Sequence, residues 1–501
     1  MENKQIQKGL SRTLVRRDQI FAEGRDEVNI KLTCEDKGIL QEVNDYFTFD
    51  VPGARFMPAY RNKYWDGKIR LYNIASRLIY KGLYKHLERF CDERQYELIG
   101  DDSITTTNDV SLPELEDFFA HGSYTPRDYQ LRAIAHGLRN NRAMILSPTA
   151  SGKSFIIYCI VKYLLARECK RALIIVPTTS LVSQMEGDIK DYSLKGTPYY
   201  IHTIMSGQAK DADADIFIST WQSIYKQPKK WFEQFDIVVG DEAHLFKANS
   251  LIKIMTKLEG CKYRYGFTGT LDGTQTHKLV LEGLFGPVMK VIQTKELIEE
   301  GTLSDFRIKA LVLKYPEEVC KIQKNATYQD EIKFLIGNER RNNFIKNLVT
   351  SRKGTTLLLY QMVEKHGELL YNLIKQSTDQ DVYFIHGGVS AEEREKIRKI
   401  AEGKNIIIVA SYGTFSTGIN IRNLHNIVFA SPSKSRIRNL QSIGRGLRKG
   451  DNKEVATLYD VADDLSYKSY NNHTLKHFAI RIKLYNEEEF DYKIYKIKIG
   501  D

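Results

Sequence analysis

Apolar positions along this chain fall into two long, similar series. The runs 143–146, 172–176, 215–219, 236–239 and 265–268 are separated by stretches of helical spacing, and the pattern returns as 356–360, 382–385, 405–410, 426–430 and 457–460. Short runs of Ala, Ile, Leu and Val alternating with helix-length segments predict parallel sheets covered by helices on both faces. The chain is therefore expected to be α/β, with two tandem parallel-sheet lobes at 123–294 and 346–464. Residues 28–101 predict a small α+β module. There Val28-Asn29-Ile30-Lys31-Leu32 alternates as a strand should, while Ile39, Val43 and Phe47, and later Leu83, Leu87, Phe90 and Cys91, recur at helical spacing.

The remaining segments lack a clear period. Residues 1–27, polar and basic with Arg12, Arg16 and Arg17, are expected to form a mobile arm, and the polar stretch 102–122 a linker. The charge-rich, partly helical 295–345 is expected to carry the crossing between lobes. At 465–501 a short C-terminal extension combines a helix (Leu475, Phe478, Ile482, Tyr485) with an alternating edge strand, 492–499.

Between the run 143–146 and a helix-like segment lies Ser147-Pro148-Thr149-Ala150-Ser151-Gly152-Lys153-Ser154. A strand, a small-residue loop ending in Gly-Lys-Ser and a helix form the arrangement by which a P-loop holds a triphosphate. Backbone N–H groups cradle the phosphates, the Lys153 ammonium reaches the outer ones, and the Ser154 hydroxyl helps hold magnesium. Ser147 stands where the pattern usually begins with Gly, and Ala150 where a second Gly is common. Downstream, the run 236–240 ends in Asp241-Glu242-Ala243-His244, which supplies the two acids such an ATPase needs.

The charge balance adds a partner class. Lys and Arg outnumber Asp and Glu by 74 to 63 in 501 residues, a formal +11 that is compatible with a polyanion. Bases and aromatics interleave most densely at 55–72. Beyond the Asp66-Gly67 turn, Lys68 and Arg70 share one strand face; with Arg61, Lys63 and Tyr64 they can track a phosphate backbone and stack on bases. The competing reading puts Trp65 and Phe56 in the core and leaves the bases as a solvated face. The six cysteines form no C-x-x-C pair, and no apolar run approaches the ~20 residues that span a bilayer. A soluble, intracellular protein with free thiols is expected.

These motifs together resemble those of superfamily-two helicases, whose fold is a pair of RecA-like lobes. Tyr124-Thr125-Pro126-Arg127-Asp128-Tyr129-Gln130 resembles the Q motif, which implies that Gln130, with Tyr124 and Arg127, meets adenine. Thr178 and Thr179 resemble motif Ia, Thr220 and Trp221 motif Ib, and Thr268-Gly269-Thr270 motif III. Ser411-Tyr412-Gly413 through Gly418-Ile419-Asn420 resembles motif V, and Gln441-Ser442-Ile443-Gly444-Arg445-Gly446-Leu447-Arg448 motif VI. The resemblance implies Asp241 on magnesium and Glu242 polarising the attacking water. Strand contacts would come from Thr178, Thr179, Thr220, Trp221, Ser411 and Tyr412. Gly418 would join the nucleotide site, and Arg445 and Arg448, three apart on a helix and hence on one face, would be arginine fingers. The threonines of Ia and Ib can equally be plain helix caps.

Within that superfamily the chain resembles the phage UvsW-type recombination and repair helicases, at Tyr64-Trp65-Asp66-Gly67-Lys68-Ile69-Arg70-Leu71, at Thr220-Trp221-Gln222 and at Val409-Ala410-Ser411-Tyr412-Gly413. This implies an ATP- and Mg2+-dependent DNA translocase that migrates Holliday junctions, regresses stalled forks and unwinds R-loops and D-loops. Its implied partners are branched, duplex and single-stranded DNA, RNA–DNA hybrids, and single-stranded-DNA-binding and recombination proteins, with no membrane. The implied setting is the cytoplasm of an infected bacterial host. An RNA helicase is the alternative, because DEAH-type motifs do not separate the two polymers.

Overall fold

In the computed structural model, which describes residues 18–105, 107–194, 198–205, 207–416, 421–431, 433–450 and 453–499, alternation begins earlier than expected. Gln19–Gly24 is already a strand with Ile20 and Ala22 buried. It pairs antiparallel with Asn29–Thr33 and parallel with Glu97–Gly100 inside a five-stranded sheet. The expected arm thus loses residues 19–24 to the module's core, and residues 1–17 lie outside the described residues. The two helices foreseen here are Lys37–Tyr46, capped by Asp36, and Tyr84–Arg94.

Chain contacts divide the molecule into two compact units. The first holds residues up to Ile145, Phe155–Phe267 and Thr274–Met289; the second holds Leu146–Ser154, Thr268–Gly273 and the chain from Lys290 onward.

The first unit joins the N-terminal module to a seven-stranded sheet in the order Ile201–Ile204, Ile216–Thr220, Ala172–Val176, Ile237–Asp241, Tyr263–Thr268, Arg142–Leu146, Val288–Lys290. The five expected strands are present, and two short ones, 201–204 and 288–290, extend the edges. Fully buried runs such as Ala172–Val176 explain the continuous apolar signal: both faces are covered, so no position needs to be polar. The expected linker is corrected as well. Leu112–Phe119 is a helix, capped by Ser111 with Pro113 in its first turn, and it buries Leu115 and Phe119. Its Glu114 accepts from both Tyr163 and Arg167 at 2.7 Å. Leu112, Leu115, Phe118 and Phe119 recur at helical spacing, a signal obscured by the polar residues that precede them.

The module is seated firmly on this sheet. The Glu27 carboxylate accepts from Lys81 and Arg142, each at 2.9 Å, and its N–H donates to the carbonyl of Glu259 at 2.8 Å. Gly82 approaches the helix Gln275–Phe285 so closely that a Cβ there would sit 2.0 Å from the carbonyl oxygen of Glu282. Only glycine fits, and an isolated glycine between Lys81 and Leu83 was the sequence signal for that approach.

The second unit contains its own seven-stranded sheet: Val382–Ile385, Ile407–Ser411, Thr355–Tyr360, Leu424–Phe429, Val455–Asp464, Asp305–Lys314, Tyr492–Lys498. Asp305–Lys314 corrects the expected crossing segment. It is a ten-residue strand, parallel to Val455–Asp464 on one side and to the edge strand Tyr492–Lys498 on the other. The tail has the expected helix, His473–Glu487. Two buried arginines in this unit are ion-paired: Arg341 donates to Asp463 at 2.8 and 3.0 Å, and Arg481 grips Asp460 through Nε and Nη2, both at 2.8 Å. Tyr315 and Tyr485 donate to the same two carboxylates.

Candidate nucleotide and nucleic-acid sites

The loop after Arg142–Leu146 is bent by two left-handed residues, Ala150 at φ 66° and Gly152 at φ 80°, before the helix Lys153–Leu165 begins. For alanine that conformation costs ~1 kcal/mol, and the serines help to hold it. Ser151 donates its hydroxyl to the carbonyl of Pro148 at 2.7 Å, so Ser147, 2.5 Å away, donates to Ser151. The Ser147 N–H bonds to the Thr268 carbonyl at 2.9 Å, tying the loop to motif III. The serine that replaces the usual glycine is thus part of the loop's scaffold. A left-handed turn running into a helix N-terminus is the geometry that binds phosphate. Within the same unit, Thr149 lies against Gly444 of the motif VI helix; a Cβ at 444 would meet its hydroxyl at 2.4 Å.

In the first unit, Asp241 ends the strand Ile237–Asp241 and is 5% exposed. Glu242 follows at φ 49°, a strained position for a residue with a side chain, and its carboxylate lies 3.4 Å from Nδ1 of His244. The strand end turns through a left-handed residue into the short 3-10 segment Ala243–Leu245, so two acids and His244 follow within four residues.

Arg445 lies in the last turn of the helix Arg436–Gly446, and Arg448 lies two residues beyond its end. Gly446 packs on Ile427, where a Cβ would stand 2.6 Å away, and Leu447, which caps the helix, is buried. Arg448 then forms a backbone bridge with Leu303, and its Nε is buried without a hydrogen-bond partner. Burial, and next the nearby Arg422, push the Arg448 guanidinium below its ordinary range. Gly418 lies outside the described residues.

The Q-motif residues start the helix Asp128–Asn140. The Gln130 carbonyl oxygen accepts from the Arg127 N–H at 2.9 Å, as a capping box requires. Tyr124 is half exposed, donates to Asp191 at 2.9 Å and sets its ring edge-on to Phe155 and Tyr192. Thr178 caps the helix Thr179–Tyr192 with exposed Thr179 as its first residue, and the Thr220 hydroxyl pairs with Ser223 at 3.0 Å. Trp221 is half-buried, edge-on to Tyr225. The Ser411 hydroxyl bonds to Thr414 at 2.8 Å. Tyr412 is corrected: it is 2% exposed and donates to the Ser431 carbonyl at 3.2 Å, so this ring belongs to the core and has no face for a polynucleotide.

The basic and aromatic segment is open to solvent. Tyr64 is 86% and Phe56 64% exposed, with the Arg55 guanidinium 4.8 Å from the Phe56 ring centroid. Phe56 is therefore not core; Trp65, half-buried, donates its indole N–H to the Lys68 carbonyl at 2.8 Å. Arg61, Lys63, Lys68 and Arg70 are all exposed, and Arg70 pairs with Asp66 at 2.5 Å across the turn. Lys68–Arg70 pairs antiparallel with Thr48–Asp50 in a two-stranded ribbon.

Comparison with known proteins follows the same division. A family described as "DNA helicase UvsW, N-terminal" matches residues 20–101, "Type III restriction enzyme, res subunit" matches 123–273, and "Helicase conserved C-terminal domain" matches 340–450. The "ATP-dependent DNA helicase uvsW" of Enterobacteria phage T4 is 36% identical over 93% of this chain and 97% of its own length. The "DNA 3'-5' translocase XPB2" of Sulfurisphaera tokodaii is 22% identical over 78% of this chain and 91% of its own. Among solved structures, that of T4 UvsW covers 96% of this chain and all of its own, at 34% identity and a TM-score of 0.51. A likeness of that extent, together with the phosphate loop, the paired acids and the late arginines, makes this chain a member of the UvsW family of superfamily-two ATP-dependent DNA helicases.

Proposed function

We propose that this chain is an ATP-driven DNA motor that acts on branched DNA, migrating four-way junctions, regressing stalled forks and unwinding R-loops and D-loops. The observation that carries the reading is the seating of the exposed 55–70 face. It belongs to a module locked onto the first sheet by Glu27 and by the close approach of Gly82, so DNA gripped there is carried with the sheet that bears Asp241 and Glu242. A DNA arm held at a fixed place beside the motor gives a reason for branched substrates to be favoured over linear ones.

In this reading Lys153 neutralises the outer phosphates, and Pro148 to Gly152 cradle them. Tyr124, Arg127, Gln130 and Gly418 complete the nucleotide's surroundings. The Ser154 hydroxyl and the Asp241 carboxylate are hard oxygen donors of the kind magnesium takes, and the ion supplies charge neutralisation for phosphoryl transfer. Glu242 orients and deprotonates the attacking water. Arg445 and Arg448 stabilise charge that develops on the transferred group. Thr178, Thr179, Thr220, Trp221 and Ser411 contact the translocated strand; Arg61, Lys63, Tyr64, Lys68 and Arg70 contact the duplex arm. Proteins of recombination and single-strand coating, and RNA–DNA hybrids, are the partners this role implies, in the cytoplasm of a phage-infected bacterium.

The test is the ATPase and unwinding rate across a four-way junction, a fork, an R-loop, linear duplex and single-stranded RNA. Strongest stimulation by the branched forms is expected. Stimulation by RNA alone would replace the DNA reading with that of an RNA helicase.

A further inference from the structure

Lys453 is buried, 5% exposed, in the second unit, outside every motif considered above. Its ammonium donates to two backbone carbonyls, that of Gly446 at 2.7 Å and that of Arg422 at 2.9 Å. Gly446 is the last residue of the helix that carries Arg445, and its carbonyl has no partner within the helix. Arg422 lies two residues beyond the motif V segment. The Lys453 N–H also bonds to the carbonyl of Gly450, two residues beyond Arg448, at 3.2 Å. Gly450 in turn approaches Asn423 so closely that a Cβ would lie 2.1 Å from its Oδ1, and Asn423 is anchored to the carbonyl of Glu402 at 2.8 Å. One residue therefore joins three places: its cation ties the end of the helix that carries Arg445 to Arg422, and its backbone bonds to Gly450.

We infer that Lys453 is a positioning residue for ATP hydrolysis, holding the backbone that presents Arg445 and Arg448 without touching nucleotide itself. The inference rests on the reading of those arginines as the groups that stabilise transferred phosphate. A charged donor suits this task because it bonds to carbonyls of two separate segments at once, and a charge-assisted hydrogen bond fixes direction as well as distance.

The surroundings give the tie a pH limit. Burial lowers the Lys453 ammonium to about 8, Glu402 opposes the shift and Arg448 adds to it. His425, Lys449, Asp305 and Glu454 line the same cavity. Above that pH the amine has lost its charge and holds the carbonyls more weakly. Stability moves the other way: between the folded value near 8 and the ordinary lysine value of 10.5, the unfolded chain binds more protons at this site, so its contribution to folding rises with pH. Turnover and stability are thus expected to diverge on the alkaline side, which a purely structural lysine would not produce.

The experiment compares wild type, Lys453→Met, Lys453→Arg, Arg445→Ala and Arg448→Ala as full chains. It measures kcat and KM for DNA-stimulated ATP hydrolysis from pH 6.5 to 9.5, with thermal unfolding at each pH. Lys453→Met is expected to lower kcat about tenfold or more with little change in KM, and to add little when combined with Arg448→Ala. Lys453→Arg is expected to recover most of the rate and to lose the alkaline fall, because its charge persists. If both finger variants lose turnover while folded Lys453→Met keeps it, the positioning role is overturned and the finger reading stands. If neither finger variant loses turnover, the finger reading itself has failed. Should Lys453→Met not fold, the wild-type profile decides: a kcat flat from pH 7 to 9.5 overturns the inference, and a fall centred near 8 supports it.

Discussion

The N–H of Glu242 donates to the carboxylate of the residue before it, Asp241, at 2.9 Å. Glu242 itself lies in the left-handed region at φ 49°, so the chain turns sharply where the strand ends. The two carboxylates are set apart in role by that turn: Asp241 is held by its own backbone at the strand end, while the Glu242 side chain extends toward His244.

Replacing Glu242 with Gln retains the shape and the backbone turn but removes the base. Turnover is expected to fall by ~10²–10⁴-fold, with ATP affinity nearly unchanged. Single-turnover hydrolysis beside equilibrium nucleotide binding checks this, and an equal loss in both would assign Glu242 to binding.

Tyr64→Ala and Lys68→Ala act on an open surface, so the folding free energy should change by no more than ~0.5 kcal/mol. Junction binding should weaken by ~1–3 kcal/mol for the lost ring if a base stacks on it, and the salt slope should fall by ~0.9 for the lost lysine. Arg70→Ala is expected to matter less, because Asp66 already engages that guanidinium. Titration of four-way junction binding against salt separates the three; unchanged affinity and slope would return the ribbon to ordinary solvated surface.

Asp463→Ala leaves Arg341 buried with its ion partner gone, since both side chains are fully buried. A loss of ~3–5 kcal/mol is expected. Pairing the change with Arg341→Met should recover part of it. Urea unfolding of the two variants provides the comparison, and equal stability of Asp463→Ala and wild type would contradict it.

What the sequence made legible was what needs no tertiary context. Continuous runs such as 172–176 and 407–410 could only be strands covered on both faces, and Gly152-Lys153-Ser154 and Asp241-Glu242 are short enough to carry their chemistry in their order. Asp305–Lys314 was obscured because its exposed Asp305 and Arg307 alternate with Phe306 and Ile308, which reads as a charged crossing until the neighbours at 455–464 and 492–498 are known. Spacing puts Arg448 on the helix of Arg445, and only the fold shows that the helix stops at Gly446 and that Arg448 bridges to Leu303. Tyr412 misled for a related reason: a tyrosine offers the same signal whether its hydroxyl meets solvent or, as here, a buried carbonyl.

The long strand Asp305–Lys314 has one more consequence, for the order in which the protein is made. Its partner Val455–Asp464 begins 141 residues after Lys314 (455 minus 314), and its other partner comes later still. At ribosomal speed that separation is a wait of roughly 10–30 s, during which an apolar ribbon has left the exit tunnel with neither neighbour yet synthesised. The second unit is therefore the natural client for a chaperone in the cell, and the earlier unit, whose seven strands are complete by Lys290, can settle while its sibling is still being translated.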